Sequence, residues 1–306
     1  MAIYLGIDTS NYTTSVAAVD ESGVILADER IILNVEQGKR GLRQSDALFL
    51  HIKNLPVLFD KIGNLGKISA VGVSTAPRRT EGSYMPVFLA GYSCASAIAK
   101  THEAKLLEFS HQEGHIRAGK ISLAQDLPES FYAVHLSGGT TEILDVKSDG
   151  TRFLSEIIGG TQDISAGQLV DRLGVKLGLA FPCGKELEKL AAQSDSYLKF
   201  KLSTKECFVS FSGIEAQAMR AADNNTPPSD LARGILIAIS DTLSKAFKSV
   251  LAQYGSRPIL LAGGVASNQL IRDRLENEFK NLVFFSEAKY ATDNAVGIAL
   301  MAKENS

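Results

Sequence analysis

Cysteine is scarce in this chain of 306 residues: Cys94, Cys183 and Cys207 are odd in number, far apart and without a CxxC pair. That argues against a disulfide framework and against a zinc knuckle. No apolar run approaches the roughly 20 residues needed to span a bilayer. No basic segment precedes an apolar one at the N-terminus, so a cytoplasmic protein without a membrane partner is expected. Neither sign of charge dominates, with 32 basic and 34 acidic residues and a net charge of −2. Gripping nucleic acid over a whole surface needs a concentrated basic patch, so an RNA substrate would need help from a partner. Two short basic runs, Lys39-Arg40-Gly41-Leu42-Arg43 and Arg78-Arg79, read as solvated loops ahead of phosphate contacts.

What is present is the composition of a folded protein, 45% hydrophobic and 22% charged, long enough for two domains. Residues 4–27 align without a gap over 131–154, with identities at Ser10/Ser137, Thr13/Thr140, Thr14/Thr141, Val19/Val146 and Gly23/Gly150. Each segment reads as a strand, a small polar turn, a second strand, a tight turn ending in Gly, and a third strand. Helical segments follow each copy: 44–63, with Pro56 as a break or kink, and 86–104; then 164–178 and 184–195. A long helix is expected from Pro227-Pro228, capped by Thr226, towards Tyr254. Its residues Leu231, Ile235, Ile239, Leu243, Phe247 and Leu251 recur every four positions, burying one face. A strand at Pro258–Ala262, a helix from about Ser267 to Phe279 and a last helix near 293–303 complete the expectation. The architecture implied is α/β: two duplicated lobes, 1–125 and 126–306, with a ligand cleft between them.

Histidine is also rare, five in all, yet His111 and His115 stand four apart. On a helix that spacing puts both imidazoles on one face, within reach of one metal ion. A chance pair of solvated or core histidines is the alternative. Asp293 most resembles a helix N-cap or first-turn residue; as a third ligand it would complete a two-histidine, one-carboxylate site suited to Fe or Zn. Three loops carry phosphate-type chemistry. Asp8-Thr9-Ser10-Asn11 offers hydroxyls and backbone amides to an anion, although taken alone it reads first as an ordinary hairpin turn. Ser137-Gly138-Gly139 lets backbone N–H groups approach a phosphate. Gly263-Gly264, with Asn268 as a hydrogen-bonding group, lets a base and ribose approach. Asp163, Asp171 and Gly184 flank the intervening helix, and Asp171 can accept from ribose hydroxyls. No residue stands out as a catalytic acid or base.

Together these residues resemble the tRNA threonylcarbamoyladenosine synthase family, also known as the sialoglycoprotein endopeptidase or glycoprotease family. The matching motifs run along the chain: GIDTS (6–10), HQEGH (111–115), LSGGTTE (136–142), the LVDRLGVKLGL run before FPCG (169–184), SFSG (210–213), LLAGGVASN (260–268) and TDNAVGIA (292–299). The resemblance implies the sugar kinase, Hsp70 and actin fold, built of two ribonuclease H-like lobes. It implies that His111, His115 and Asp293 hold one divalent ion. It implies that His135, Leu136, Ser137, Gly138, Gly139, Asp171, Gly184 and Asn268 contact an adenine nucleotide, an ATP- or AMP-type group carried as a carbamoyl-adenylate. The activity implied is carbamoyl transfer from threonylcarbamoyl-adenylate to an adenosine of tRNA, with tRNA and paralogous or ATPase proteins as partners. Peptidase activity does not follow, because Glu113 stands two residues after His111, not directly after it as in zinc proteases.

The chain departs from the family pattern at several points. Tyr12 and Thr13 replace two acids, Thr140 a histidine, Gln168 a glutamate, Cys183 a glycine and Glu215 a lysine; Ala76-Pro77-Arg78-Arg79 replaces Gly-Pro-Gly-Leu. Metal and nucleotide elements persist while acceptor-side elements change, as in a divergent paralogue. Two alternatives therefore stand beside tRNA modification: carbamoyl transfer to a small molecule or other acceptor, and a non-catalytic nucleotide-binding paralogue that supports a partner enzyme.

Overall fold

In the computed structural model every residue is described except Met1, Asn11, 35–41, Glu81, Ser122, Ala124 and Gln125. Asn11 of the first loop, the Lys39-Arg40-Gly41 part of the basic run and the lobe boundary at 125 therefore lie outside the described residues. In chain order the elements are β1 (Ile3–Asp8), β2 (Thr13–Asp20), β3 (Ile25–Ile32), α1 (Gln44–Ile62), β4 (Ile68–Ala76), α2 (Phe88–Thr101), β5 (Lys105–Ser110) and α3 (His111–Lys120). There follow β6 (Ser130–Leu136), β7 (Thr141–Ser148), β8 (Phe153–Thr161), α4 (Ala166–Lys176), α5 (Gly184–Ala191), β9 (Ser203–Lys205), β10 (Phe208–Ser210), α6 (Ser212–Asp223) and α7 (Pro228–Tyr254). Last come β11 (Ile259–Ala262), α8 (Gln269–Phe279), β12 (Val283–Phe285), α9 (Ala288–Ala291) and α10 (Val296–Glu304).

The chain forms two compact units: Met1–Ile121 with Ser148–Leu154 and Asp293–Ser306, and Ser122–Lys147 with Ser155–Thr292. The last segment, expected with the second lobe, thus belongs to the first unit. The reason is close packing: α10 lies against β1 and β4 where glycines leave room. A Cβ on Gly6 would come within 2.4 Å of the Ala295 carbonyl oxygen, and one on Gly72 within 2.8 Å of that of Ile298.

The five-stranded sheet of the first unit has the order β3-β2-β1-β4-β5, with β3, β2 and β1 antiparallel and β1, β4 and β5 parallel. The second sheet contains the same order, β8-β7-β6-β11-β12, with β10 and β9 added beyond β8. The aligned segments are therefore equivalent β-β-β units. The buried face of the first sheet (Leu5, Ile7, Val16, Val71, Val73) packs with Leu55 and Leu58 of α1 and Ala95 of α2.

In the second unit α7 supplies the spine of the core. Leu231, Ile235, Ile239, Leu243 and Phe247 are fully buried, each contributing about 1.5–3 kcal/mol by burial. Leu251 packs at the margin. The helix begins at Pro228 with Pro227 at the cap position and no side-chain cap, so Thr226 does not play that part. Proline at the first turn costs nothing, because its missing N–H would have had no helical partner. Helix α1 continues through Pro56 without ending there; Pro56 and Ile52 lie on the exposed face, where the Ile52 carbonyl left without a helical partner can meet water. Helix α6 and the short β9–β10 hairpin were not expected. Among the described residues, no helix is long and apolar enough to cross a membrane.

Candidate metal centre and nucleotide loops

Strand β5 ends at Ser110 and α3 starts on the next residue, so His111 is the first residue of the helix. A capping box fixes that start: the Glu113 N–H donates to Ser110 Oγ (3.3 Å) and the Ser110 N–H donates to Glu113 Oε2 (2.9 Å). One turn on, His115 lies on the same face as His111, and their rings meet edge-on with centroids 4.3 Å apart. Asp293 reaches the pair from the segment before α10. It is not the cap expected of it: Ala295 holds that position, and Asn294 Oδ1 accepts from the Val296 N–H.

The Nε2 atoms of His111 and His115 are 2.9 Å apart, and Asp293 Oδ1 lies 3.1 Å from His115 Nε2 and 3.6 Å from His111 Nε2. Ligand atoms on a tetrahedral ion, with bonds of about 2.0–2.1 Å, sit roughly 3.3 Å apart. The three donors bracket that value, and two imidazoles with one carboxylate suit Fe or Zn. Behind His111, Asp8 Oδ2 lies 2.7 Å from Nδ1. A carboxylate there holds the Nδ1–H tautomer and turns the Nε2 lone pair towards the centre, the support a metal-bound histidine ordinarily has. The residues present therefore fit a single divalent ion.

The carboxylates that would support a bound ion also favour a proton on His111, so an ion has to displace that proton to bind. Burial opposes a charge on Asp8, yet His111 and the Ser10 groups outweigh it and hold the carboxyl below its usual range. Burial likewise disfavours the His111 imidazolium, but Asp8, and then Asp293, raise its pKa to about 9. Thr13 Oγ1 donates to Asp293 Oδ2 at 3.3 Å.

This geometry revises the reading of the first loop. Asp8 is buried and anionic and faces His111, which makes it a repellent partner for a phosphate. The Thr9 hydroxyl donates to the Val87 carbonyl (3.0 Å) and accepts from the Gly91 N–H (3.1 Å), so it is committed to the start of α2. Ser10 donates its N–H to Asp8 Oδ1 at 2.7 Å. Among the described residues, Asp8, Thr9 and the Ser10 N–H are engaged with His111, α2 and one another, while the Ser10 hydroxyl is buried without a hydrogen-bond partner.

The second unit brings its two Gly-Gly loops together. Strands β6 and β11 are parallel neighbours, with Ala262 opposite His135, so both loops leave adjacent carboxyl ends, where α/β sheets bind ligands. Gly263 has φ +110°, and a Cβ there would meet the Leu136 carbonyl oxygen at 2.3 Å. A Cβ on Gly138, Gly139, Gly184 or Gly264 would meet no atom of the described residues within 4 Å. The Gly138 carbonyl accepts from Ser165 Oγ (2.7 Å). Burial pushes the Asp171 carboxyl above its usual range, partly offset by the Cys183 N–H, which donates to it at 2.8 Å.

Two residues of that set are otherwise engaged. The Leu136 side chain is in the core. Asn268 is the N-cap of α8, its Oδ1 accepting from the Ile271 N–H at 3.1 Å, which leaves its amide NH₂ to donate to a ligand. His135 is half-buried at the end of β6.

Solved structures share this fold of two sheets with a repeated strand order. The activator of the 2-hydroxyisocaproyl-CoA dehydratase from Clostridium difficile, with bound ADPNP, superposes with a TM-score of 0.61 at 18% identity, over 99% of this chain and 95% of that one. A ROK family glucokinase from Streptomyces griseus in complex with glucose and AMPPNP gives 0.54 at 12% identity, over 99% of each chain.

The sequence is more specific than the fold. The family model for tRNA N6-adenosine threonylcarbamoyltransferase (TsaD) matches residues 46–300. A protein of that name from Mycoplasmopsis synoviae is 28% identical over 308 residues, covering 98% of this chain and 97% of its own length. The chain belongs to the tRNA N6-adenosine threonylcarbamoyltransferase family and is a transferase.

Proposed function

We propose that the protein transfers a threonylcarbamoyl group from threonylcarbamoyl-adenylate to the N6 amine of an adenosine in tRNA, using one Fe or Zn ion. The observation that carries this reading is the convergence of His111, His115 and Asp293, with Asp8 behind His111. When bound, the ion supplies a Lewis acid that polarises the carbamoyl carbonyl. Asp8 orients His111, and Thr13 orients Asp293. The backbone N–H groups of Ser137-Gly138-Gly139 and Gly263-Gly264 bind the adenylate, with Asp171 and Gly184 at its sugar and the Asn268 amide as a donor. The amine nitrogen bonds to the carbonyl carbon, and the carbon–oxygen bond to phosphate breaks. AMP leaves with that electron pair, and the amine proton passes to water. A tRNA substrate places the work in the cytoplasm. With a net charge of −2, paralogous or ATPase partner proteins supply the remaining RNA contacts.

A second reading, carbamoyl transfer to another acceptor, is favoured by two contacts at changed positions. Thr13 faces Asp293 where the resemblance expects an acid, and Glu215 pairs with Arg172 at 3.1 Å where it expects a lysine. Following AMP release from threonylcarbamoyl-adenylate, before and after chelation, tests the shared donor chemistry. Release that stops on chelation and returns with metal is expected; release indifferent to chelation overturns the metal reading. Absence of any release favours the non-catalytic paralogue.

A further inference from the structure

Glu113 stands between the two histidines in sequence and is 2% exposed. Its carboxylate closes the capping box on Ser110, accepting from both the N–H and the Oγ of that residue at 2.9 Å. A carboxylate buried so deeply is costly unless an opposite charge meets it. Arg152 provides that charge as a fork, with Nε 2.8 Å from Glu113 Oε1 and Nη2 3.3 Å from Oε2. The guanidinium also lies over the Phe109 ring, 4.7 Å from its centroid.

Arg152 is itself held in place. It closes the turn between β7 and β8, where Asp149 Oδ1 accepts from the N–H groups of Thr151 (3.0 Å) and Arg152 (2.7 Å). Asn305 Nδ2, just beyond α10, donates to the Thr151 carbonyl at 3.1 Å. One turn thus grips the start of α3 and the end of the helix that follows Asp293. His111 is the first helical residue, and a first residue is the one most displaced when a cap loosens.

We propose that Arg152 is a positioning residue for the His111–His115 pair, acting through Glu113. Without the guanidinium, nothing holds the Glu113 carboxylate against the cap, and it swings towards water. That opens the capping box and lets His111 drift from His115. This inference rests on the metal reading above.

The test is a Co²⁺ titration of the metal-stripped full chain, read by d–d absorption, which reports both affinity and coordination geometry. Arg152→Met is expected to weaken binding by about 10–100-fold, the usual effect of losing an outer partner of a metal site, and to alter the band shape. Arg152→Lys restores part of the affinity. Adding Glu113→Gln to Arg152→Met restores more, because an amide can cap Ser110 without needing a counter-charge.

Arg117→Met is the control. Arg117 lies on the same helix and makes a comparable pair with Glu304 (2.6 Å), away from the cap, so its loss is expected to change affinity by no more than about 2-fold. Equal losses in Arg117→Met and Arg152→Met, no loss in Arg152→Met, or no restoration by Glu113→Gln overturns the proposal while leaving the metal reading intact. A wild-type chain that binds no Co²⁺ overturns both.

Discussion

Gly297 lies so close to Gly114 that a Cβ on it would sit 2.0 Å from the Gly114 carbonyl oxygen. Gly114 separates the two histidines' turn of α3, and Gly297 lies one turn after Asp293 on α10. Backbone-to-backbone contact at this crossing brings Asp293 to His115. Gly297→Ala therefore forces the helices apart at backbone atoms that cannot yield, costing about 1–3 kcal/mol or more. Gly114→Ala meets the Ile298 side chain (Cδ1 at 2.8 Å and Cγ1 at 3.0 Å) and comes no nearer than 3.9 Å to its backbone, so side-chain repacking can absorb more of it. Thermal melts and metal content should show Gly297→Ala as the more damaged on both counts; equal behaviour would deny that the crossing sets the site.

Asp8→Asn keeps an oxygen for the Ser10 N–H but removes the charge facing His111. Metal affinity is expected to fall about 10–100-fold, with the fold retained on circular dichroism. Thr13→Val loses one longer hydrogen bond to Asp293 and should cost less. Isothermal titration with Zn²⁺ ranks the two, and the reverse order would contradict the assigned supports.

Acid sensitivity should trace to Asp163. Burial alone would raise its pKa, but the hydroxyls of Ser210 and Ser212 and the N–H groups of Phe211 and Ser212 hold the carboxyl well below its usual range. A group depressed in the folded state stabilises the fold above its unfolded value, about 3.9. That stability is lost as pH falls through the folded value. Asp163→Asn should be less stable than wild type at neutral pH, and the gap should narrow as pH drops below 4. Urea melts at several pH values read this; a gap independent of pH would reject it.

In the core, Ile239→Ala empties a fully buried position on α7 and is expected to cost about 2–5 kcal/mol. Leu251→Ala, at the half-buried margin, should cost less. Both should leave metal stoichiometry in the first unit unchanged, as denaturation and elemental analysis would show.

What was legible in the sequence follows from range. The paired three-strand segments are hairpins whose signals lie a few residues apart, and the four-residue apolar repeat of α7 is carried by one helix. His111 and His115 were recognisable for the same reason. The closure by Asp293 spans 178 residues and depends on the α3–α10 crossing, which no local spacing encodes. The pairing of Asp8 with His111 spans 103 residues, so the sequence showed only the local turn around Asp8. That Asn268 also caps α8 was not legible, because a cap and a ligand group are the same residue type. Helix α6 escaped notice because it buries little beyond Ile214 and Ala218, too few apolar residues to make a period.

The central claim is tested most directly by incubating the metal-loaded protein with threonylcarbamoyl-adenylate and unmodified tRNA, then digesting the RNA for nucleoside mass spectrometry. The account predicts N6-threonylcarbamoyladenosine with wild type and none with His111→Ala. Release of AMP by wild type without any modified nucleoside would contradict tRNA as the acceptor, and modified nucleoside formed equally well by His111→Ala would contradict the metal centre.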